Sequence, residues 1–246
     1  MQRYFLNHPF DEQGRVEISG DDYKHIVKVM RMTPGQEVVT VYDGVASIAI
    51  IDSMSEDAVI VSQKKQLDKD NELPISVTIA CGLPKGDKLD LITQKSTELG
   101  MSQLIPFAAS RSIVKWDAKK VDKRIDRLQK IAKEAAEQCH RNHVPEILSV
   151  QSIKQLITYT DSFDVKMFAD EEDAKSDVPH KIADRLKNVY HGQSIVVVFG
   201  PEGGLAREEA DLLQQAGFLP VSLGPRILRT ETAPLYVLSA MSYEFE

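Results

Sequence analysis

Cysteine is nearly absent from this chain: 246 residues hold two, Cys81 and Cys139. That is too few for a disulfide framework. One sits in an apolar strand pattern and the other on an apolar helix stripe, so both are expected to be free, buried thiols. Long apolar runs are missing as well. Hydrophobic residues make up 42% of the chain, yet none of the runs approaches the roughly 18 to 20 residues of a bilayer-spanning helix, and no membrane partner is expected. The opening MQRYFLNHPF lacks a basic region followed by an apolar stretch and a small-residue cleavage site. The expectation is therefore no export signal and a cytoplasmic location. Basic charge is not in excess either. The net charge of -7 excludes nucleic-acid binding by bulk electrostatics, so any such contact has to be local. No second ligand pair at finger spacing accompanies Cys139, His140 and His143, and no metal is expected. The chain shows no internal repeat and no low-complexity segment.

What is present divides in two. Residues 1–70 read as short strands, Val16–Ile18, Glu37–Tyr42, Ala46–Ile51 and Ala58–Ser62, separated by the turn dipeptides Pro34-Gly35 and Asp43-Gly44. The pattern predicts a small β-barrel. One helix interrupts it over Asp21–Met30, with Ile26, Val29 and Met30 facing inward. The polar stretch Gln66–Glu72, ended by Pro74, has the composition of a linker. From Ile75 onward strands alternate with helices, which predicts a parallel sheet covered on both faces in a domain spanning 73–246. The strands are Ile75–Cys81, Gln103–Ala108, Val165–Ala169, Ile195–Phe199 and Pro220–Leu223. Helices are expected from Asp87 to Leu99, from Lys119 to His140 and near Val178–Val189, and two more follow the last two strands.

Two loops carry the chemistry. SIVVVF leads into Gly200-Pro201-Glu202-Gly203-Gly204 and then a helix, an arrangement that lets a ligand approach the backbone beside unpaired helix amides. It is neither the dinucleotide G-x-G-x-x-G nor a Walker A loop. Glu208 and Glu209 in the first helical turn already favour the helix dipole, so a neutral or cationic ligand suits it better than a phosphate. The second loop, Gly224-Pro225-Arg226-Ile227-Leu228-Arg229, precedes a last helix that Thr230 or Thr232 is placed to cap. Its two arginines suit an anionic partner or ion pairs with nearby acids. A basic cluster from residue 110 to 133, including Arg111, Lys115, Arg124 and Arg127, reads equally as a solvated helix face or a local nucleic-acid contact. Lys95 and Glu98, three apart on one helix, read first as a surface ion pair.

GPEGGLAREE and LGPRILRTETAPLYVLSAM resemble the paired C-terminal motifs of SPOUT methyltransferases. LPKGDKLDLITQKSTELG, RSIVKW, EAAEQCHRNHVPEI and HIVKVMRMTPGQEV narrow the resemblance to the ribosomal RNA small-subunit methyltransferase E family, over essentially the whole chain. The resemblance implies an α/β, trefoil-knotted SPOUT domain that forms a homodimer, with an N-terminal PUA-like β-barrel over residues 1–70 that helps hold RNA. It implies S-adenosylmethionine as cofactor and methylation of N3 of a uridine in 16S rRNA, in an assembled or nearly assembled small ribosomal subunit.

The same resemblance implies that the cofactor lies against three loops. The first would be Phe168, Ala169, Asp170 and Glu171. The second would run from Phe199 and Gly200 through Pro201, Glu202, Gly203 and Gly204. The third would comprise Leu223, Gly224, Ile227, Leu228, Arg229, Thr230 and Ala233. Removal of a uridine N3 proton leaves negative charge on the flanking carbonyl oxygens. Arg229, with Arg226 second, is the candidate to stabilise it, and Glu231 or Glu202 the candidate to accept the proton. For RNA contact the expectation is His25, Lys28, Arg31, Lys85, Arg111 and Arg124.

Overall fold

The structure, a computed structural model, describes residues 1–170 and 180–246. It separates into two units, Met1–Glu72 with Ala136–His143, and Leu73–Ala135 with Val144–Glu246.

In the first unit the β-branched runs pair as the turn chemistry dictates. Strands β3 (Glu37–Tyr42) and β4 (Val45–Met54) form a hairpin with Tyr42 opposite Val45. Both turn residues, Asp43 (φ 47°) and Gly44 (φ 75°), are left-handed, the geometry whose twist matches a two-residue hairpin. β5 (Ala58–Gln66) pairs antiparallel with β4, and β2 (Arg15–Ser19) with β5. A strand not expected from the sequence, β1 (Arg3–Phe5), lies parallel to β3. The order is β1-β3-β4-β5-β2. Its edge strands β1 and β2 do not pair with each other, so the expected barrel is an open five-stranded sheet. Three residues give too short a pattern for β1 to show period-2 alternation.

The expected ten-residue helix also differs. A short helix α1 (Gly20–Lys24) passes into a π-helical turn, His25–Val29, in which the Met30 N–H reaches back five residues to the His25 carbonyl. The wider turn changes the phase of the side chains. Ile26 is fully buried, whereas Val29 is 66% exposed and Met30 is also outside. Those two do not face inward.

The second unit is a six-stranded, all-parallel sheet in the order β11-β9-β10-β6-β7-β8. Its strands are β6 (Ser76–Gly82), β7 (Gln103–Phe107), β8 (Glu146–Ile147), β9 (Val165–Ala169), β10 (Ser194–Phe199) and β11 (Leu219–Val221). Continuous apolar runs suit strands covered on both faces. Ile195, Val197 and Phe199 of β10 join one core with Val77 and Ile79 of β6, whereas Val196 and Val198 join another with Ala80, Phe107 and Phe168. Seven α-helices occur among the described residues of the whole chain, besides the π-helical turn. After α1 they are α2 (Lys88–Glu98), α3 (Ala118–Gln138), α4 (Ile153–Tyr159), α5 (Ile182–Leu186), α6 (Arg207–Gln215) and α7 (Thr232–Phe245). Ile92 of α2 and Val237, Leu238 and Met241 of α7 fill the first core, and Leu156 of α4 with Ala210 and Leu213 of α6 the second.

β8 and α4 have no counterpart among the elements expected from the sequence. α3 stops at Gln138, and His140 adopts a left-handed φ of 65°. Cys139 therefore lies beyond the helix and is only partly buried; Cys81 is fully buried, and neither forms a disulfide among the described residues. Glu231, not either threonine, occupies the N-cap position of α7, and its side chain makes no capping bond. Of the helix expected near Val178–Val189, α5 is the described part, and Val178 lies outside the described residues. No helix of the described residues is long and apolar enough to cross a membrane.

Candidate functional site

In an open parallel sheet the space beyond the carboxyl ends of the strands is where a ligand fits. β9, β10 and β11 end at Ala169, Phe199 and Val221, and the segments that follow them wall a cavity of about 520 Å³. That is the size range of small-molecule and cofactor sites.

The glycine loop after β10 folds on itself so closely that a Cβ at Gly200 would lie 2.5 Å from the Gly204 carbonyl carbon and 2.6 Å from the Leu205 nitrogen. No side chain fits there without opening the loop. Gly203 is different: its nearest neighbour is the Arg111 Cβ, 3.1 Å from where a Cβ would stand. Arg111 lines the cavity, and its guanidinium donates to the Gly203 carbonyl at 3.0 Å. This placement has a cause in Glu209, which is 3% exposed. One oxygen of its carboxylate accepts from the Ala206 N–H (3.0 Å), capping α6, and the other from the Ser110 N–H (2.8 Å). A single carboxylate thus fixes the segment after β7 against the helix that follows the glycine loop.

A second ionic cluster closes another wall. The Lys88 ammonium lies 2.9 Å from Glu202 Oε1 and 3.2 Å from Glu231 Oε2. The Glu202 carboxylate also accepts from the Lys85 backbone N–H at 3.0 Å. Burial works to raise the Glu202 pKa, but the hydrogen bond from Lys88 and the backbone N–H groups outweigh it, and the net shift is downward. Glu231 is also lowered, first by its own backbone N–H and then, against burial, by Lys88 and Arg229. The Lys88 pKa is raised, chiefly by its bond to Glu202. Both carboxylates expected as proton acceptors are therefore held ionised, and a depressed carboxylate is a weak base. The ion pair of each carboxylate is to this lysine, and Arg229 acts on Glu231 only through its charge.

The cavity wall includes the expected Ala169, Asp170, Leu223, Gly224, Ile227, Leu228, Thr230 and Ala233, together with residues 199–204. Arg226 and Arg229 line it and are exposed. Phe168 is not at the wall; its ring is fully buried in the sheet core. Glu171 lies outside the described residues. Among the lining residues not expected from the sequence are two charged ones, Lys88 and Arg207. Arg207 bonds Asp211 (3.1 Å) and faces Asp170 at 3.6 Å. Lys88 had a signal: it is the first residue of α2, where a cation opposes the helix dipole.

The residues expected to meet RNA belong to both units, His25, Lys28 and Arg31 to the first and Lys85, Arg111 and Arg124 to the second. Lys28, Arg31 and Lys85 are exposed. His25 is engaged through Nδ1 with the hydroxyl of buried Tyr4 at 3.0 Å. Arg124 stacks over Trp116, 5.0 Å from the ring centre, and Arg127 pairs with Asp90. Lys95 and Glu98 form the expected ion pair at 2.8 Å.

Comparison with known proteins adds to this geometry. A family model described as an RNA methyltransferase domain matches residues 71–242, and one described as an RNA methyltransferase PUA domain matches residues 18–63. The ribosomal RNA small subunit methyltransferase E of Bacillus subtilis (strain 168) is 45% identical over 250 residues, covering 100% of this chain and 98% of that protein. The corresponding protein of Mycobacterium tuberculosis is 29% identical over 233 residues, covering 91% and 84%. Among solved structures, a ribosomal RNA small subunit methyltransferase E from Neisseria gonorrhoeae bound to S-adenosyl methionine superimposes with a TM-score of 0.87. It shares 29% identity and covers 100% of this chain and 98% of that one. A Legionella pneumophila chain in complex with the bound cofactor SAM gives a TM-score of 0.86 at 28% identity, covering 98% and 97%.

Proposed function

This chain belongs to the ribosomal RNA small subunit methyltransferase E family, and from that premise we propose that it uses S-adenosylmethionine to methylate N3 of a uridine in 16S ribosomal RNA. The observation that carries the reading is the cavity of about 520 Å³ beyond β9, β10 and β11. Its wall is rich in glycine backbone, which lets an adenosine approach closely, and it sets the carboxylates of Asp170 and Glu202 beside the basic side chains of Lys88, Arg111, Arg207, Arg226 and Arg229, which suit an anionic RNA. When bound, S-adenosylmethionine supplies an electrophilic methyl group.

The remaining chemistry falls to the chain. Arg229, with Arg226 beside it in the same loop, stabilises the negative charge that appears on the uracil carbonyl oxygens as the N3 proton leaves. Glu202 and Glu231, tied to Lys88, shape the site rather than take that proton, which passes to solvent. Residues 1–70 act as the RNA-holding module, supported by the PUA-domain match, and a trefoil-knotted topology and a homodimer follow from the SPOUT resemblance. Expression of this protein in cells lacking the endogenous enzyme tests the reading. Mass mapping of 16S rRNA should show one added methyl group on a uridine, at N3. Unchanged RNA, with the protein folded and abundant, would refute it.

A further inference from the structure

The least expected feature of the cavity is a lysine at a helix start. Lys88 opens α2, a placement that sets its charge against the helix dipole. Its first turn also contains Asp90, so the helix could have opened on an acid alone. What the lysine gains is tertiary: it lies within 3.2 Å of two carboxylates 29 residues apart, on the loop after β10 and at the entry to α7. Three segments meet at this one ammonium. Lys88 and Glu202 form part of the cavity wall, whereas Glu231 is only 18% exposed and does not line it.

Without the cation, two carboxylates would face each other across a partly buried gap, and repulsion would drive the loops apart or force one acid to take up a proton. We propose that Lys88 is a positioning residue, which clamps Glu202 to Glu231 and so holds the second and third loops at the spacing the cofactor requires. This rests on the cofactor reading above and adds to it the group that preorganises the site. Its role is indirect: it acts through two carboxylates rather than on the methyl group.

The test is calorimetric titration with S-adenosylmethionine of the full chain and of Lys88→Met, Lys88→Arg and Lys88→Met/Glu231→Gln, each with its thermal unfolding recorded. Lys88→Met should bind about 10- to 100-fold more weakly at pH 7, the order expected when one partner of a partly buried pair is removed. Lys88→Arg should stay within about threefold of the parent, since it keeps the charge. The second substitution in Lys88→Met/Glu231→Gln removes the repulsion and should recover much of the loss.

A purely structural lysine would not produce the accompanying pH signature. In Lys88→Met, affinity should rise as the pH falls from 7 to 5, because one carboxylate protonates; the parent should stay flat over that range. The other groups facing the pair are Arg229, which bears on Glu231, and on the Glu202 side the Lys85 backbone N–H and the Cys81 thiol. The thiol, pushed up to about 12 by burial and by Glu202, does not titrate there. Binding by Lys88→Met equal to the parent overturns the proposal. So does a loss that neither low pH nor Glu231→Gln recovers, which would mean that the lysine contacts the cofactor directly. Failure of the parent itself to bind S-adenosylmethionine overturns the functional reading instead.

Discussion

Arg229 and Glu209 show how differently two charged residues of one site act. Arg229 is exposed at the cavity wall, and its planar fork of donors is free to meet charge that forms on a substrate. Arg229→Ala should lower single-turnover methyl transfer by about 100- to 1,000-fold, with little change in cofactor affinity, the outcome expected where the proposed cofactor is held through loop backbone rather than through this side chain. Arg229→Lys should recover only part of the rate. A parallel loss of rate and affinity would place the arginine on the cofactor rather than on the RNA base. Glu209 is buried and already committed to two backbone N–H groups, on Ala206 and Ser110. Replacing it with alanine strands both donors, and the expected loss is about 1–3 kcal/mol. Urea unfolding should show a lower midpoint at an unchanged slope, and Arg111 should lose its fixed place over Gly203.

The helical elements show where periodicity misleads. Reading α1 and the turn after it as one regular helix placed Ile26, Val29 and Met30 on one face. The π-helical turn breaks that phase and buries Ile26 alone among the three. Ile26→Ala should therefore cost about 2–5 kcal/mol, as a large-to-small change in a core does. Val29→Ser should stay within about 0.5 kcal/mol, as surface changes do. Chemical denaturation of the two variants side by side checks this, and equal losses would restore the regular helix. A π-helical turn depends on the hydrogen-bond register, and nothing in the residue types over 25–29 distinguishes i→i+5 from i→i+4 pairing. The strands of the parallel sheet were more legible, because runs such as SIVVVF have few alternatives: β9 has the expected bounds, and β10 begins one residue earlier.

Across the whole chain, distant segments are joined by ion pairs that no local pattern announces. Glu72, at the end of the polar linker, bonds the guanidinium of buried Arg141 and accepts from the N–H groups of Asn142 (2.9 Å) and His143 (3.1 Å). Arg3 of β1 reaches the Arg141 carbonyl and Asn142 Oδ1, each at 2.7 Å. Burial alone would raise the Glu72 pKa, but Arg141 and the two N–H groups turn the net shift downward. A lowered carboxylate contributes stability that is present above its unfolded pKa and lost as the pH falls through the folded one. Glu72→Gln should then be less stable than the parent at pH 7, by about 1–3 kcal/mol, because the hydrogen bonds to the Arg141 guanidinium and to the two N–H groups lose the carboxylate charge. The difference should shrink toward pH 3, and urea midpoints measured across that range decide it. A constant difference would mean that the charge is immaterial.

Binary patterning and turn chemistry in the sequence determined the alternation of strand and helix beyond Ile75 and the glycine loops at Gly200 and Gly224, but not that residues 136–143 join the first unit. Those follow from local rules: apolar runs bury, glycine permits tight backbone, and Asp43-Gly44 makes a hairpin. Tertiary structure alone decided that the first sheet stays open, that Phe168 turns into the core, and that Arg111 belongs to the cavity wall. It alone brought Lys88 to Glu202 and Glu231. Charges in sequence carry no address; which acid meets which base depends on where the carboxyl ends of the parallel strands bring their loops together in space.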